Sequence, residues 1–80
     1  MAIERVLLQF EKGSKDLAAE YVLKGIELDE LQNLFGESRD DPMYHSYDVT
    51  QSQAKRLGEA AGVQLDLDKY DYFVQAYSVA

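Results

Sequence analysis

No cysteine occurs among the 80 residues, so neither a disulfide nor a thiolate metal site staples the fold and one apolar core has to hold it. A chain this short buries only ~60% of the surface it exposes when unfolded, which leaves room for a single domain over residues 1–80. With 46% hydrophobic and 29% charged residues, the composition is that of a globular domain rather than a disordered segment. A cysteine-free core suits a reducing compartment, and the cytoplasm is the expected location. Val6-Leu7-Leu8, behind Glu4-Arg5, is far too short for a signal h-region or a membrane span.

Both ends of the chain carry the period of a half-buried strand. Over residues 3–11, Val6, Leu8 and Phe10 alternate with Arg5, Leu7, Gln9 and Glu11. After the polar turn of residues 12–16, Ala19, Tyr21 and Leu23 alternate with Ala18, Glu20, Val22 and Lys24, which makes a hairpin. The period then changes. Leu28, Leu31, Leu34 and Phe35 share one helical face over residues 26–35, with Gly36 as the stop and Ile26 placed to staple Leu31. Residues 37–46 read as loop, broken by Asp40-Asp41-Pro42.

Tyr47-Asp48-Val49 reads as a short strand running into Thr50-x-x-Gln53, the signature of a capping box. The helix it opens has Ala54, Leu57 and Ala61 on one face and ends at Gly62. Residues 63–67 alternate again, and a last strand is expected over residues 71–77. Strand, strand, helix, strand, helix, strand, strand describes an α+β fold: a small antiparallel sheet of about four strands with one or two short helices packed on one face.

On this pleat Val6, Leu8, Phe10, Ala19, Tyr21, Leu23, Val63, Leu65 and Leu67 are expected to meet the helices, with Tyr72, Val74 and Ala76 from the last strand. The opposite face then shows Leu7, Gln9, Glu11, Glu20, Val22, Gln64, Asp66, Phe73, Gln75 and Tyr77. Tyr70, Tyr72, Phe73 and Tyr77 are too dense for one core-facing strand, because alternation turns about half of them outward. Aromatic groups amid carboxylates resemble a protein-binding patch with anchors and a polar rim. The plainer reading is a solvated sheet face with scattered apolar residues.

Fifteen acids against eight bases give a net charge of -7, which argues against nucleic-acid binding and for a basic protein partner. Residues 27–41 hold six acids against Arg39 alone, the usual composition of a solvated helix and loop. Little points to catalysis. His45 is the single histidine, in a loop, where a solvated role is the ordinary one. Asp66-Leu67-Asp68 begins like a calcium loop, but Tyr70, Asp71 and Tyr77 stand at its fifth, sixth and twelfth positions. Isolated glycines offer no phosphate cradle. No catalytic residue, metal ligand or cofactor is expected, and the chain reads as a binder rather than an enzyme.

Tyr47-Asp48-Val49, then Leu65-Asp66-Leu67 after fifteen residues, then Tyr72-Phe73-Val74, resembles the C-terminal half of the cloacin-type immunity proteins, the small acidic inhibitors of ribonuclease colicins and related bacterial toxins. The likeness runs over residues 47–78, with Ala76 standing where the family has an aromatic residue. It implies a four-stranded antiparallel sheet, helix on one side, whose other face binds a basic toxin nuclease domain 1:1, with no direct contact to nucleic acid or membrane. Phe73 and Asp66 fall on matching motif positions. From the pleat, the expected partner-binding residues are Glu11, Glu20, Asp66, Phe73, Gln75 and Tyr77, with Asp68 in the turn after Asp66. Rival readings are an acidic interaction module or adaptor with a non-toxin partner, and a small enzyme or ligand carrier.

Overall fold

The structure, a computed structural model, describes residues 2–79. Its elements run β1 (Ala2–Glu11), β2 (Leu17–Val22), α1 (Leu28–Phe35), β3 (Tyr47–Asp48), α2 (Gln51–Ala61) and β4 (Tyr70–Val79). One antiparallel sheet has the order β2-β1-β4-β3, so the first and last strands form its central pair. Both helices lie on one side, the α+β arrangement expected from the alternation of periods.

The hairpin closes where Ser14 N–H donates to Glu11 O at 3.0 Å and Glu11 N–H donates to Asp16 O at 3.2 Å. Gln9 pairs with Ala19 but Phe10 pairs with Leu17, so Ala18 is bulged out of β2. α1 begins without a side-chain cap at Glu27 and ends at Gly36, whose φ of 68° places it in the left-handed region that glycine enters without strain. α2 starts as Thr50 and Gln53 specify, with Thr50 N–H donating to Gln53 Oε1 at 2.7 Å. Arg56 ties the helices together by donating to the Glu30 carboxylate and, at 2.7 Å, to Gly25 O.

The core lies between helices and sheet: Leu7, Leu31 and Leu57 are fully buried, with Leu23, Met43, Val49, Tyr72 and Val74 around them. Among the described residues its one buried polar side chain, Gln32, is satisfied by donating from Nε2 to Arg39 O at 3.1 Å and to Asp41 O at 2.7 Å. These bonds pin the loop after α1.

Two expectations are corrected here. Leu7, not Val6, Leu8 and Phe10, faces the helices, paired with Tyr21 on one side and Val74 on the other. As a central strand β1 is apolar on both faces, and the run Val6-Leu7-Leu8 fits either register. Polar neighbours of Leu7 on the helix side are accommodated individually, although the buried Nε of Arg5 has no hydrogen-bond partner among the described residues. Arg5 Nη2 donates to Pro42 O at 2.8 Å, and Gln9 Oε1 accepts from Tyr21 OH at 3.5 Å.

Residues 63–67 form no strand. Gly62, left-handed at φ 77°, turns the chain back across α2, and Val63 N–H donates to Gly58 O at 3.0 Å. Leu65 and Leu67 still pack on the core, and the chain then turns at Asp66 O, which accepts from Lys69 N–H at 3.2 Å and Tyr70 N–H at 2.9 Å. β4 starts immediately afterwards.

Candidate protein-docking face

Cross-strand partners share a face, so the pairings lay out the side of the sheet away from the helices row by row. Tyr77 stands opposite Glu4. Val22, Val6 and Gln75 form the next row, then Glu20, Leu8, Phe73 and Asp48, then Leu17, Phe10 and Asp71. Among the described residues none of the helix-side core cluster belongs to these rows.

The centre of this face is apolar and already dense. Val6 is 1% and Leu8 6% exposed, covered by flanking side chains alone. Phe10 and Phe73 meet edge to face with ring centroids 5.6 Å apart. Tyr77 OH donates to Gln75 Oε1 at 3.1 Å, which fixes the two side chains relative to each other beside Val6. Leu17 at 52%, Tyr77 at 41% and Val22 at 40% are the large apolar groups left open to solvent here.

Around this centre stand four carboxylates, Glu4, Glu20, Asp48 and Asp71, and no strand residue facing this side is basic among the described residues. One lysine reaches the rim from the hairpin turn: Lys12 Nζ lies 3.4 Å from Asp71 Oδ1 and donates to Leu67 O at 2.8 Å. Both partners are largely exposed, so the pair holds the rim only weakly.

Of the residues expected on the binding face, Glu20, Phe73, Gln75 and Tyr77 lie there together. Glu11 does not. It pairs with Tyr70 on the helix side, a consequence of the same one-residue shift that turned Leu7 inward. Asp66 and Asp68 are also elsewhere, in the turn before β4, where Asp66 N–H donates to Tyr72 OH at 3.2 Å and Asp66 Oδ1 accepts from Asp68 N–H at 3.2 Å. Because residues 63–67 are not a strand, alternation has no hold on where Asp66 points.

Glu4, Val6, Leu8, Phe10 and Leu17 on this face escape sequence reasoning, since the β1 register was reversed and the bulge at Ala18 was invisible. Asp48 and Asp71 were legible: Asp48 alternates with Tyr47 and Val49, and Asp71 shares parity with Phe73.

Elsewhere the titratable groups serve the fold. Asp41 lies below the ordinary carboxylate range because Met43 N–H donates to Oδ1 at 2.8 Å, aided by Tyr47 OH on Oδ2 at 3.2 Å. Burial raises the Tyr72 hydroxyl above its ordinary value, and burial followed by the Asp41 charge raises Tyr47. His45 is exposed. Among the described residues no group of three or more His, Cys, Asp or Glu side chains is placed to hold a metal ion. A shallow groove between α2 and the following segment is lined by Ala54, Lys55, Gly58, Glu59, Val63 and Leu65. None of the helices in the described residues is long and apolar enough to cross a membrane.

No curated protein matches the chain at a significant level. A family model does, over residues 4–75, from β1 well into β4 and therefore across most of this face: the chain belongs to the DUF7683 family, a domain of unknown function.

Proposed function

We propose that this protein is a bacterial immunity protein, an antitoxin that binds the basic nuclease domain of a cognate toxin in the cytoplasm and neutralises it 1:1. The observation that carries the reading is the composition of the open sheet face, an apolar, aromatic centre ringed by Glu4, Glu20, Asp48 and Asp71 with no basic strand residue among the described residues. A nuclease holds phosphates with lysine and arginine, so its substrate path is the complement of such a face. The net charge of -7 acts at longer range, raising the rate of encounter with a cationic domain. Once docked, Phe73 and Phe10 supply the desolvated anchor while the carboxylates occupy the electrostatic place of the nucleic-acid backbone. The likeness of residues 47–78 to the cloacin-type immunity proteins supports the same partner class, and a cysteine-free core is compatible with a reducing compartment.

Titrating the basic C-terminal domain of a toxin encoded beside this protein tests the reading. Nuclease activity is expected to fall to zero at one equivalent, with a single heterodimer peak in size-exclusion chromatography. Two separate peaks at micromolar concentration, or undiminished activity, defeat it.

A further inference from the structure

Beside Phe73, where β3 gives way to α2 and the turn of residues 66–69 leads into β4, lies a recess of about 470 Å³. Lys12, Asp48, Leu67, Asp71 and Phe73 stand in its wall. The pleat places the acids. Asp48 lies directly across from Phe73 on β3, and Asp71 precedes Phe73 by two residues on β4, so both carboxylates share the side of the sheet that carries the ring. They are diagonal neighbours, ~7–8 Å apart or a little less between β-carbons. The other strand acids of this face are spread out, Glu4 opposite Tyr77 and Glu20 opposite Leu8.

Phe73 is half-buried, and its edge-to-face contact with Phe10 occupies at most one face of its ring. The chain already sends one cation here. Lys12 Nζ donates to Leu67 O at 2.8 Å and lies 3.4 Å from Asp71 Oδ1. The second distance is well beyond the ~2.7–2.9 Å of a tight charged bond, so the carbonyl holds the ammonium and Asp71 is compensated loosely. Asp48 has neither an ion pair nor a side-chain hydrogen bond among the described residues. Neighbouring carboxylates on adjacent strands repel, and one loosely held ammonium offsets at most one of them. A second cation between them relieves what remains.

The chemistry of that cation follows from the wall. A calcium or magnesium ion takes six or more oxygens, and among the described residues no group of three or more His, Cys, Asp or Glu side chains is placed to hold a metal ion. An ammonium is compact and strongly hydrated, whereas a guanidinium is planar, weakly hydrated, stacks on an aromatic face and offers donors on two sides. An aromatic ring flanked by two carboxylates suits the guanidinium.

The geometry points to this recess as a subsite for one arginine side chain of a protein partner, stacked on Phe73 and bridging Asp48 and Asp71. The identity of the partner rests on the toxin reading above, while the preference for a guanidinium rests on the recess alone.

N-acetyl-arginine amide, titrated into the isotope-labelled full chain and followed through the backbone amide resonances, tests the proposal. Shifts centred on Asp48, Asp71 and Phe73 are expected, saturating with a Kd on the order of 10 mM. The uncharged citrulline analogue is expected to leave them in place, and the lysine analogue to bind about threefold more weakly or worse. Asp48→Asn and Asp71→Asn are each expected to raise the Kd about fivefold or more, because each removes one charged acceptor. Glu59→Gln, which takes the same charge from the exposed side of α2, is expected to change it by less than about twofold. The spectrum also reports folding. Should Asp71→Asn lose its native dispersion, Asp48→Asn decides, since no side-chain bond within the chain is given up there. Shifts that never saturate or scatter over the whole acidic surface overturn the proposal. So do equal effects of Asp48→Asn and Glu59→Gln, or a lysine analogue that binds as well as arginine. No toxin enters this titration, so a failed subsite and a failed toxin reading are told apart.

Discussion

Phe10 and Phe73, 63 positions apart in the sequence but diagonal neighbours on the central strand pair, meet edge to face at 78° on the side of the sheet that carries no helix. Neither ring belongs to the helix-side core. Phe73→Ala is therefore expected to weaken toxin binding by roughly 2 kcal/mol or more while the protein stays folded, and Phe10→Ala to behave alike. Calorimetric titration with circular dichroism on each variant checks this. An unchanged Kd for both places the anchor elsewhere.

The carboxylates divide by face. Glu20→Ala and Asp48→Ala are expected to slow association with the toxin domain, and wild-type association to slow as the Debye length shrinks from ~10 Å at 0.1 M salt to ~3 Å at 1 M. Asp66→Ala, on the far side in the turn before β4, leaves the rate nearly unchanged and loosens the turn it holds through Asp68 N–H. Stopped-flow mixing separates the two groups, and an association rate indifferent to salt removes steering from the account.

Gly58 is a position where any larger residue must displace backbone. A β-carbon built there lies 2.6 Å from Val63 O, at the point where the chain doubles back over α2. Gly58→Ala is expected to lower stability by about 1–3 kcal/mol despite the higher helix propensity of alanine. Urea melts measure it, and a stabilised variant contradicts the close approach.

Acid should weaken the fold through Asp41 and Glu30, both held below the ordinary carboxylate range, Asp41 chiefly by Met43 N–H and Glu30 by its bond from Arg56. A carboxylate depressed on folding contributes stability that is present above its unfolded pKa and disappears as pH falls through its folded pKa. The urea midpoint is thus expected to drop as pH goes below ~4. In Asp41→Asn that drop should be shallower, and melts at several pH values would show an identical acid limb if Asp41 contributed nothing.

Much of this fold is written in local pattern. Thr50 and Gln53 mark the start of α2, Gly36 and Gly62 mark two helix ends, and the parity of Tyr72 against Phe73 sorts β4 correctly. β1 resists the same reasoning because Val6, Leu7 and Leu8 are interchangeable in hydrophobicity, and what decides between them is the tertiary context of Tyr21, Val74 and the helices. Residues 63–67 mislead for a related reason. Leu65 and Leu67 do face the core, but the segment reaches it as a crossing over Gly58 rather than as a strand in a ladder. The candidate face inherits both errors, since Glu11 depended on the first and Asp66 on the second.

The central pairing of β1 with β4 also governs how the chain can be made. A ribosome delivers β1 first and β4 last, so the hairpin of β1 and β2 must wait with half of its ladder unfilled until almost the whole sequence has emerged. Closing so long a loop is slow compared with forming a helix or a hairpin. In that interval Val6, Leu8 and Phe10 are bare, making the nascent chain, rather than the finished protein, the form most in need of a chaperone.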